Sequence, residues 1–442
     1  MRILIISRSP WDETNSLGNT LSNLFSSVQK ENLANLYFRS AKPSNKICMK
    51  YFSITDSEVL KSVAIRNLDI GTYFEMDIND DKNNTISQKQ VQSDEQIYSY
   101  FRRKKSKYAL LLQEILWDYG KWNSLKLNKF LEDFQPEIIF APAFSTSYTH
   151  RILWYVKEKT NAKIALFHAD DYMSISKNSN LLNRLYEKKR IKSVTKSTLM
   201  ADINYCISVK QQEEYQKKIG KEMKLLYKGA DFSVKPFYRA PSKESPIKII
   251  YIGSILYGRW KTLSLLAKAI QRINCETRHF ELSIYSQYEP TKQMEEQMII
   301  NGDTKFMGKI PASKIKDAYR KSDIVLHLES FEDIEKQKTR LSFSTKIVDC
   351  LNSGRAVMAI GWEDAASIDY LIKNDAALIA NCENKIYDLL QKIKTNNDIL
   401  EEYANKAWNC GKRNHQINEI QKKLYQDLKL MIDEDKNENH TN

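Results

Sequence analysis

The chain has 442 residues, of which 42% are hydrophobic and 28% charged, and its formal net charge at pH 7 is +13. This length exceeds one typical hydrophobic core and predicts two domains, and the composition is that of a folded soluble protein. The positive charge suits anionic partners such as phosphosugars, an anionic membrane face or nucleic acid. No zinc-finger, RRM or KH motif accompanies the charge, so we expect no nucleic-acid partner.

Cysteine usage and the N-terminal residues indicate the compartment. The six cysteines form no C-x-x-C pair and have no histidine at metal-ligand spacing, which is typical of reduced packing residues in a cytosolic protein. Only four consecutive apolar residues follow Arg2, whereas roughly 20 are needed to span a bilayer. We therefore expect a cytoplasmic protein with no signal peptide and no membrane-spanning segment.

Short apolar runs alternate with longer helical patterns along the chain. Repetition of a strand followed by a helix predicts parallel sheets with helices on both faces, an α/β fold. A polar stretch at residues 79–93 predicts a mobile insertion. The predicted strands are Arg2–Ser7, Glu137–Ala141, Lys163–Phe167, Ile203–Ile207, Lys248–Ile252, Glu281–Tyr285, Asp323–Leu328 and Ala356–Ile360.

A segment with repeated prolines and no periodicity, residues 236–246, is the best candidate for a linker. It divides the chain into an N-terminal domain, residues 1–235, and a C-terminal domain, residues 247–400. Residues 401–430 predict one or two helices, which could cross back to the first domain. The polar residues 431–442 predict a disordered tail.

The segment from Phe343 to Gly361 has the pattern of a hydroxyl-rich cap (Ser344, Thr345), a short helix, a glycine and a buried strand. Lys346 lies in the first helical turn, where the helix dipole disfavours a cation by roughly 0.3–1 kcal/mol unless an anion shares the site. Asp349, one turn further, could accept hydrogen bonds from ribose hydroxyls. The alternative interpretation is a surface ion pair between Lys346 and Asp349 on an ordinary amphipathic helix.

The second half opens with a strand that ends at Gly253, and Arg259 and Lys261 follow at the start of the next helix. A glycine there lets the backbone approach a ligand, and a helix N-terminus favours phosphate. Ligands of open parallel sheets bind beyond the carboxyl ends of strands, so we expect this loop and Lys346 to converge on one crevice. The pattern is neither G-x-G-x-x-G nor a P-loop and suggests neither dinucleotide oxidoreduction nor ATP hydrolysis.

These motifs resemble the nucleotide-sugar domain of GT-B glycosyltransferases, in particular bacterial enzymes of the family 4 type. In that family a lysine holds the diphosphate and an acidic residue holds the ribose, and a glycine turn follows; Lys346, Asp349 and Gly354 match those positions. The strand ending at Gly253 and its two basic residues resemble the family's first strand and phosphate-binding pair. The resemblance implies two Rossmann-like parallel-sheet domains facing a cleft.

One departure from the family concerns a carboxylate. The family typically has two glutamates separated by seven residues; the second corresponds to Asp349 and the first to Leu341. Leucine cannot contact a sugar hydroxyl as a carboxylate would. Glu329, Glu332 or Glu335 could substitute, and we favour Glu329 because it directly follows the predicted strand. Whether the anomeric configuration is retained or inverted stays open.

Two places in the first half resemble the acceptor side of the family. Gly18 and Asn19 lie between the first strand and a helix and resemble the glycine loop that approaches the donor phosphate and the acceptor, although a helix start with an Asn cap explains them equally well. His168 follows a predicted strand and precedes Asp170 and Asp171. It resembles a cleft histidine beside the reacting sugar, with Asp170 or Asp171 orienting it or acting as base; the alternative is a structural histidine.

The resemblance implies transfer of a sugar from a UDP- or GDP-sugar to an acceptor hydroxyl. The expected acceptor is a lipid-linked glycan of bacterial capsule, exopolysaccharide or O-antigen synthesis, and the basic run at residues 102–107 would lie on the anionic inner leaflet. No metal or other cofactor is required, because Arg259, Lys261 and Lys346 would stabilise the leaving diphosphate. The alternatives are an inactive nucleotide-sugar-binding partner subunit and a GT-B nucleotide-sugar 2-epimerase.

Overall fold

The computed structural model describes residues 1–65, 67–76, 107–175, 180–242, 244–300 and 302–440, without the side chains of residues 107–109 and 434–440. The predicted insertion at 79–93 and residues 102–106 of the basic run lie outside this description. The chain divides into two compact units. The first comprises Met1–Ile207, Gln212–Leu226 and Gln421–Asn442, and the second comprises Ser208–Gln211 and Tyr227–Ile420.

The first unit is built on an eight-stranded sheet. Its strands are β1 (Ile3–Ser7), β2 (Leu33–Tyr37), β3 (Lys50–Ser53), β4 (Thr72–Glu75), β5 (Ile138–Pro142), β6 (Lys163–His168), β7 (Ile203–Cys206) and β8 (Lys224–Leu225). The strand order is β4-β3-β2-β1-β5-β6-β7-β8, with only the β3–β4 pair antiparallel. Every residue of β1, β2 and β5 is buried, as expected for central parallel strands covered on both faces.

Helices connect these strands. They are α1 (Ser16–Phe25), α2 (Asp56–Ala64), α3 (Lys107–Tyr119), α4 (Leu125–Phe134), α5 (Ser147–Thr160), α6 (Leu181–Met200) and α7 (Val209–Ile219), with a 3₁₀ turn at Lys30–Asn32. The α4 helix shows why such segments are helical: Ser124 caps it through the backbone N–H of Leu127, and its apolar residues recur at helical spacing and are buried against the sheet.

The second unit has a six-stranded sheet in which all pairs are parallel. Its strands are β9 (Ile247–Ile252), β10 (Phe280–Tyr285), β11 (Thr304–Gly308), β12 (Ile324–Leu328), β13 (Ala356–Ile360) and β14 (Leu378–Ala380). The order β11-β10-β9-β12-β13-β14 changes direction between β9 and β12. This is the topological switch point, where open α/β sheets bind ligands beyond the carboxyl ends of the strands.

The helices of the second unit are α8 (Arg259–Ile273), α9 (Lys292–Met298), α10 (Ala312–Lys321), α11 (Asp333–Thr339), α12 (Lys346–Leu351), α13 (Ala366–Lys373), α14 (Asn384–Thr395) and α15 (Asp398–His415). A last helix, α16 (Ile417–His440), begins in this unit, and its residues from Gln421 onwards belong to the first. Within the described residues, no helix combines the length and the apolar character needed to cross a membrane.

Two boundaries differ from the sequence prediction. The proline-rich segment 236–246 lies inside the second unit, and the chain passes between units at residues 207–212, 226–227 and 420–421. The last helix includes residues 431–440, which the sequence predicted as a disordered tail. These residues contain neither glycine nor proline, so their polar composition is compatible with a helix.

Candidate functional site

The carboxyl ends of β9, β12 and β13 form a common edge of the second sheet. The three strands are adjacent and in register, with Ile324 of β12 opposite both Ile249 and Ala356. Just beyond them, the backbone N–H of Glu329 donates to the carbonyl oxygen of Ile360 at 2.8 Å. The polar residues predicted for the second half that contact this edge are Lys346, Arg259 and Glu329.

Lys346, the first residue of α12, reaches this edge through its side chain. Its Nζ donates a hydrogen bond to the carbonyl oxygen of Ile252, the last residue of β9, at 3.1 Å. Lys346 is exposed, yet loss of hydration beside the protein lowers its pKa. The carboxylate of Asp349 opposes this shift, and the nearby cations Arg259 and Lys228 add to it. A bound anion would stabilise this cluster of positive charge.

Arg259 and Glu329 form a buried ion pair at the same edge. Arg259 is the first residue of α8, and its Nη2 donates to both carboxylate oxygens of Glu329, at 2.9 and 3.1 Å. Its Nε donates to the carbonyl oxygen of Leu328 at 3.1 Å. Glu329 is only 2% exposed, and burial raises its pKa while Arg259 opposes this shift. In the structure Glu329 therefore holds Arg259, and its contact with the sugar stays a prediction.

The other two candidate glutamates are also paired. Lys261 contacts Glu332 through its Nζ, and both side chains are roughly half exposed. Glu335 accepts a hydrogen bond from Lys338 at 2.8 Å. An exposed ion pair of the first kind contributes little and opens readily in water, so Lys261 remains available to an anionic ligand.

Leu341, at the position where the family has a glutamate, is a packing residue. Its side chain is buried, and its carbonyl oxygen accepts a hydrogen bond from the hydroxyl of Ser208 at 2.8 Å. Thr345 precedes α12 without a capping hydrogen bond from its side chain, and the carbonyl oxygen of Ser344 accepts from the N–H of Ile347 at 3.0 Å. The backbone of Ser344 therefore helps to shape the start of α12.

Asp349 is paired with a lysine that the sequence did not indicate. The Nζ of Lys228 lies 3.1 Å from Oδ1 and 3.5 Å from Oδ2 of Asp349. The two residues are 121 positions apart, so no local spacing could reveal the contact. Asp349 therefore forms its ion pair with Lys228. The alternative interpretation had paired it with Lys346 on the helix surface.

His327 is a second residue that the sequence did not indicate. It lies in β12, it is buried, and its Nε2, 3.7 Å from Oε1 of Glu329, has no hydrogen-bond partner among the described residues. Burial and the cations Arg259 and Lys346 lower the pKa of His327 to about 3, so the ring is neutral at physiological pH. The only signal for this residue in the sequence was its position, one residue before the end of a predicted strand.

Two glycines of the loop between β9 and α8 are explained by close packing. Gly258 has a positive φ of 70°, and a Cβ there would lie 2.4 Å from the hydroxyl oxygen of Ser330. A Cβ on Gly253 would lie 2.3 Å from the ring of Tyr251, whose hydroxyl donates to the carbonyl oxygen of Ser254. Both positions therefore require glycine for the shape of the loop itself.

Gly18 and Asn19 lie in the first unit, inside α1 and not in a loop before it. The N-cap is Asn15, whose side chain accepts from the N–H of Gly18 at 2.8 Å. A Cβ on Gly18 would lie 2.0 Å from the carbonyl oxygen of Asp12, so glycine is needed for packing at the helix start. Asn19 is exposed. A role of these residues towards the donor stays a prediction.

His168 and the two aspartates that follow it lie at the end of β6, also in the first unit. His168 is 0% exposed and packs edge-on against Tyr215, and burial lowers its pKa to about 4. The ring is enclosed in this structure, and its place beside the reacting sugar stays a prediction. Asp171 accepts hydrogen bonds from the N–H groups of Met173 and Ser174 and from the hydroxyl of Tyr215, so it shapes the loop. Asp170 is exposed.

Comparisons with known proteins agree with this architecture. Residues 246–395 match the family model described as "Glycosyl transferases group 1". HepE of Anabaena, solved with UDP and glucose, is similar with a TM-score of 0.60 and 10% identity, over 97% of this chain and 99% of that chain. Sucrose-phosphate synthase from Thermosynechococcus elongatus is similar with a TM-score of 0.59 and 10% identity, over 98% and 99%. No curated protein sequence matches the chain.

A further solved structure, a TarM variant of S. aureus in complex with fondaparinux, alpha-GlcNAc-glycerol and UDP, is similar with a TM-score of 0.60 and 11% identity, over 97% of this chain and 99% of that chain. At such identities the likeness establishes the fold alone. That fold is GT-B, and the prediction of an α/β chain with two Rossmann-like parallel-sheet domains is confirmed.

Proposed function

We propose that this chain, which has the GT-B fold and matches the group 1 glycosyl transferase model over residues 246–395, transfers a sugar from a nucleotide diphosphate sugar to an acceptor hydroxyl. The donor is a UDP- or GDP-sugar, which accords with the UDP ligands of HepE and TarM. The single observation that carries the proposal is the position of Lys346, whose ammonium lies at the carboxyl end of β9 beside the start of α8.

The proposed chemistry follows from the charges at this edge. When the bond between the anomeric carbon and the diphosphate breaks, negative charge develops on the leaving oxygen. Lys346, Arg259 and the N-terminal amides of α8 would stabilise that charge without reorganising, because Arg259 is already held by Glu329 and Lys346 by Ile252. Lys261 would add a third cation, and this set would take the role that a divalent metal has in other transferases.

The remaining roles are assigned by the same proposal. Asp349, with 38% of its side chain exposed, would accept hydrogen bonds from the ribose hydroxyls. In the first unit, Asp170 is the exposed carboxylate of the predicted acceptor-side set and would orient or deprotonate the acceptor hydroxyl. We propose no direct role for His168, because it is enclosed.

Release of UDP or GDP, measured with a panel of donor sugars and cell-envelope lipids, tests the proposal. Lys346→Ala should reduce turnover by roughly 100-fold or more, since it removes a charge aimed at the leaving group. The matched control is Lys373→Ala on α13, an exposed lysine paired with Asp369, which should leave turnover unchanged. Equal turnover of Lys346→Ala and the unaltered protein would contradict the site assignment.

The enclosed Leu341 favours a second candidate function, a nucleotide-sugar-binding protein without turnover. Such a protein has the diphosphate cluster but no carboxylate at the position where family members have one. The same experiment separates the two functions. A pure binder would be stabilised against thermal unfolding by UDP or GDP, yet it would release no nucleotide from any donor and acceptor pair.

We propose a lipid-linked glycan as acceptor and a cytoplasmic location with peripheral attachment to an anionic membrane. Support comes from one exposed face of α6 in the first unit. Leu181 and Leu185 are 75% and 55% exposed, and Arg184, Lys188 and Lys192 project from the same face at helical spacing. Apolar side chains with flanking cations suit insertion between acidic lipid head groups.

Sedimentation with vesicles that contain acidic lipid tests this attachment. Binding should fall steeply with salt, and replacing both Leu181 and Leu185 by Ser should weaken it about tenfold or more, because two buried apolar side chains are lost. Leu60→Ser on α2, a change at another exposed leucine of the first unit, is the control. Binding that is absent, insensitive to salt or unaffected by the double change would contradict the proposal.

A further inference from the structure

Lys228 is the ion-pair partner of Asp349, and the two side chains differ in exposure. Lys228 is only 13% exposed, whereas 38% of the Asp349 side chain is accessible. The lysine therefore holds the carboxylate from the protein side, while the carboxylate still faces solvent. This is the arrangement expected of a group that supports a ligand-binding residue and does not itself contact the ligand.

The backbone around Lys228 is fastened to the junction between α15 and α16. The N–H of Ala230 donates to the carbonyl oxygen of His415 at 2.9 Å, and the N–H of Ile417 donates to the carbonyl oxygen of Ala230 at 3.0 Å. A Cβ on Gly229 would lie 2.7 Å from the Cα of Ile417, so only glycine permits this approach. These contacts fix the direction from which the Lys228 side chain reaches α12.

The side chain of His415 adds a further contact to the backbone of Lys228, and this contact defines the tautomer of the ring. Its Nδ1 lies 3.3 Å from the carbonyl oxygen of Lys228, which can only accept, so Nδ1 carries the proton. Its Nε2 then accepts from the hydroxyl of Tyr370 at 2.9 Å, and Asn414 donates to the same hydroxyl oxygen. Burial lowers the pKa of His415 to about 4, so this neutral form persists at physiological pH.

The position of Asp349 relative to Lys346 shows what Lys228 prevents. The two residues lie one turn apart on α12, at the i,i+3 spacing at which side chains of opposite charge meet. If Lys228 were absent, the carboxylate of Asp349 would be free to pair with Lys346. That pairing would place a negative charge beside the cation meant for the diphosphate and would withdraw the acceptor meant for the ribose.

We propose that Lys228 is a positioning residue for the donor: it holds Asp349 towards the ribose hydroxyls and keeps Lys346 unpaired for the diphosphate. The inference rests on the proposed function of this edge and deepens it, since it assigns the selection of ribonucleotides over deoxyribonucleotides to the pair. Lys228 thus acts through Asp349, so its effect depends on whether the ligand has ribose hydroxyls.

Binding of UDP and GDP to the full chain is compared with binding of their 2′,3′-dideoxy analogues by isothermal titration calorimetry. The unaltered protein should prefer the ribonucleotide roughly tenfold or more, because the analogue leaves the carboxylate without hydrogen-bond donors. Asp349→Asn sets the ratio expected when the carboxylate is lost. Lys228→Met should reduce the preference towards that ratio, whereas Lys228→Arg should retain much of it.

Lys406→Met is the control, because Lys406 forms ion pairs with Asp375 and Glu402 in the same unit and lies outside the proposed site. It should leave the preference unchanged. Should Lys228→Met fold poorly, Lys228→Ala, which also lacks a hydrogen-bond donor, serves in its place. Full preference in Lys228→Met would overturn the inference and indicate no role. Equal weakening of both ligands by Lys228→Met would also overturn it and indicate direct phosphate contact. If the unaltered chain binds neither UDP nor GDP, the proposed function fails and the inference falls with it.

Discussion

At the scale of single residues, the buried group of Arg259, Glu329 and His327 differs from the other charged pairs of the second unit. Most of those pairs have at least one exposed partner, whereas Glu329 and His327 are almost fully enclosed. The two hydrogen bonds from Nη2 of Arg259 to Glu329 compensate the loss of hydration only while both partners are present. Replacing one partner therefore leaves an uncompensated charge, and replacing both does not.

Glu329→Gln tests whether Glu329 positions Arg259 or contacts the sugar. The change keeps the size of the side chain and removes the charge that compensates Arg259. Breaking a buried ion pair in this way costs about 3–5 kcal/mol, and because Arg259 keeps some exposure we expect the lower end of that range. Denaturant unfolding followed by tryptophan fluorescence measures the loss, together with nucleotide affinity.

The double variant Arg259→Met, Glu329→Met is the matched comparison. Its loss of unfolding free energy should be smaller than the sum of the losses in Arg259→Met and in Glu329→Met, because no unpaired charge remains. Its nucleotide affinity should stay low. Additive stability costs would contradict a coupled pair. Unchanged stability of Glu329→Gln with a loss of turnover alone would instead favour direct contact between Glu329 and the sugar.

At the scale of elements, a strand was most readily predicted from the sequence where its residues form an uninterrupted apolar run. Strands such as β5 and β13 are continuous apolar runs that restart after polar segments, so their positions were predicted to within about a residue. Six of the strands that the structure describes were missed. β3, β4, β8 and β14 have only two to four residues, which carry no usable periodicity, and Asn35 and Lys305 interrupt the apolar runs of β2 and β11. The carboxyl-end loops followed from the strands, and with them the cluster of Arg259 and Lys346.

The direction and partners of side chains were much less predictable. His168 was recognised at a strand end, but β6 is covered on both faces, so alternation along the strand does not tell whether the ring points to solvent or into the core. The Lys228–Asp349 pair joins residues 121 positions apart, and only the folded backbone brings them together. A sequence pattern of a few residues can predict an element and where it ends. It cannot predict an ion pair between distant elements, because that contact depends on the tertiary fold.

At the scale of the whole molecule, four buried histidines couple the stability of both units to pH. His150 and His168 lie in the first unit, and His327 and His415 lie in the second. Burial lowers the pKa of His327 to about 3 and of the other three to about 4. In an unfolded chain the same groups titrate near pH 6.5.

These shifts predict the sign of the pH dependence. Between pH 6.5 and about 4 the unfolded chain binds protons that the folded chain excludes, so the histidine contribution is complete above pH 6.5 and is lost as pH falls through this window. Each histidine contributes up to about 1.4 kcal/mol per pH unit. Burial raises the pKa of the carboxyls Glu114 and Glu329, which acts in the opposite direction, so a comparison of variants isolates the histidines.

His150→Gln makes that comparison in the first unit. The ring of His150 contacts the hydroxyl of Ser197 at 2.8 Å and the carbonyl oxygen of Phe144 at 3.1 Å, so its replacement should lower the midpoint of thermal unfolding at pH 7. Between pH 7 and pH 5, however, that midpoint should fall less steeply than in the unaltered protein, because one proton-linked group has been removed. His279→Gln, at a partly exposed histidine of the second unit, should change the slope less. Parallel pH profiles for His150→Gln and the unaltered protein would show that His150 is not excluded from protonation by the fold.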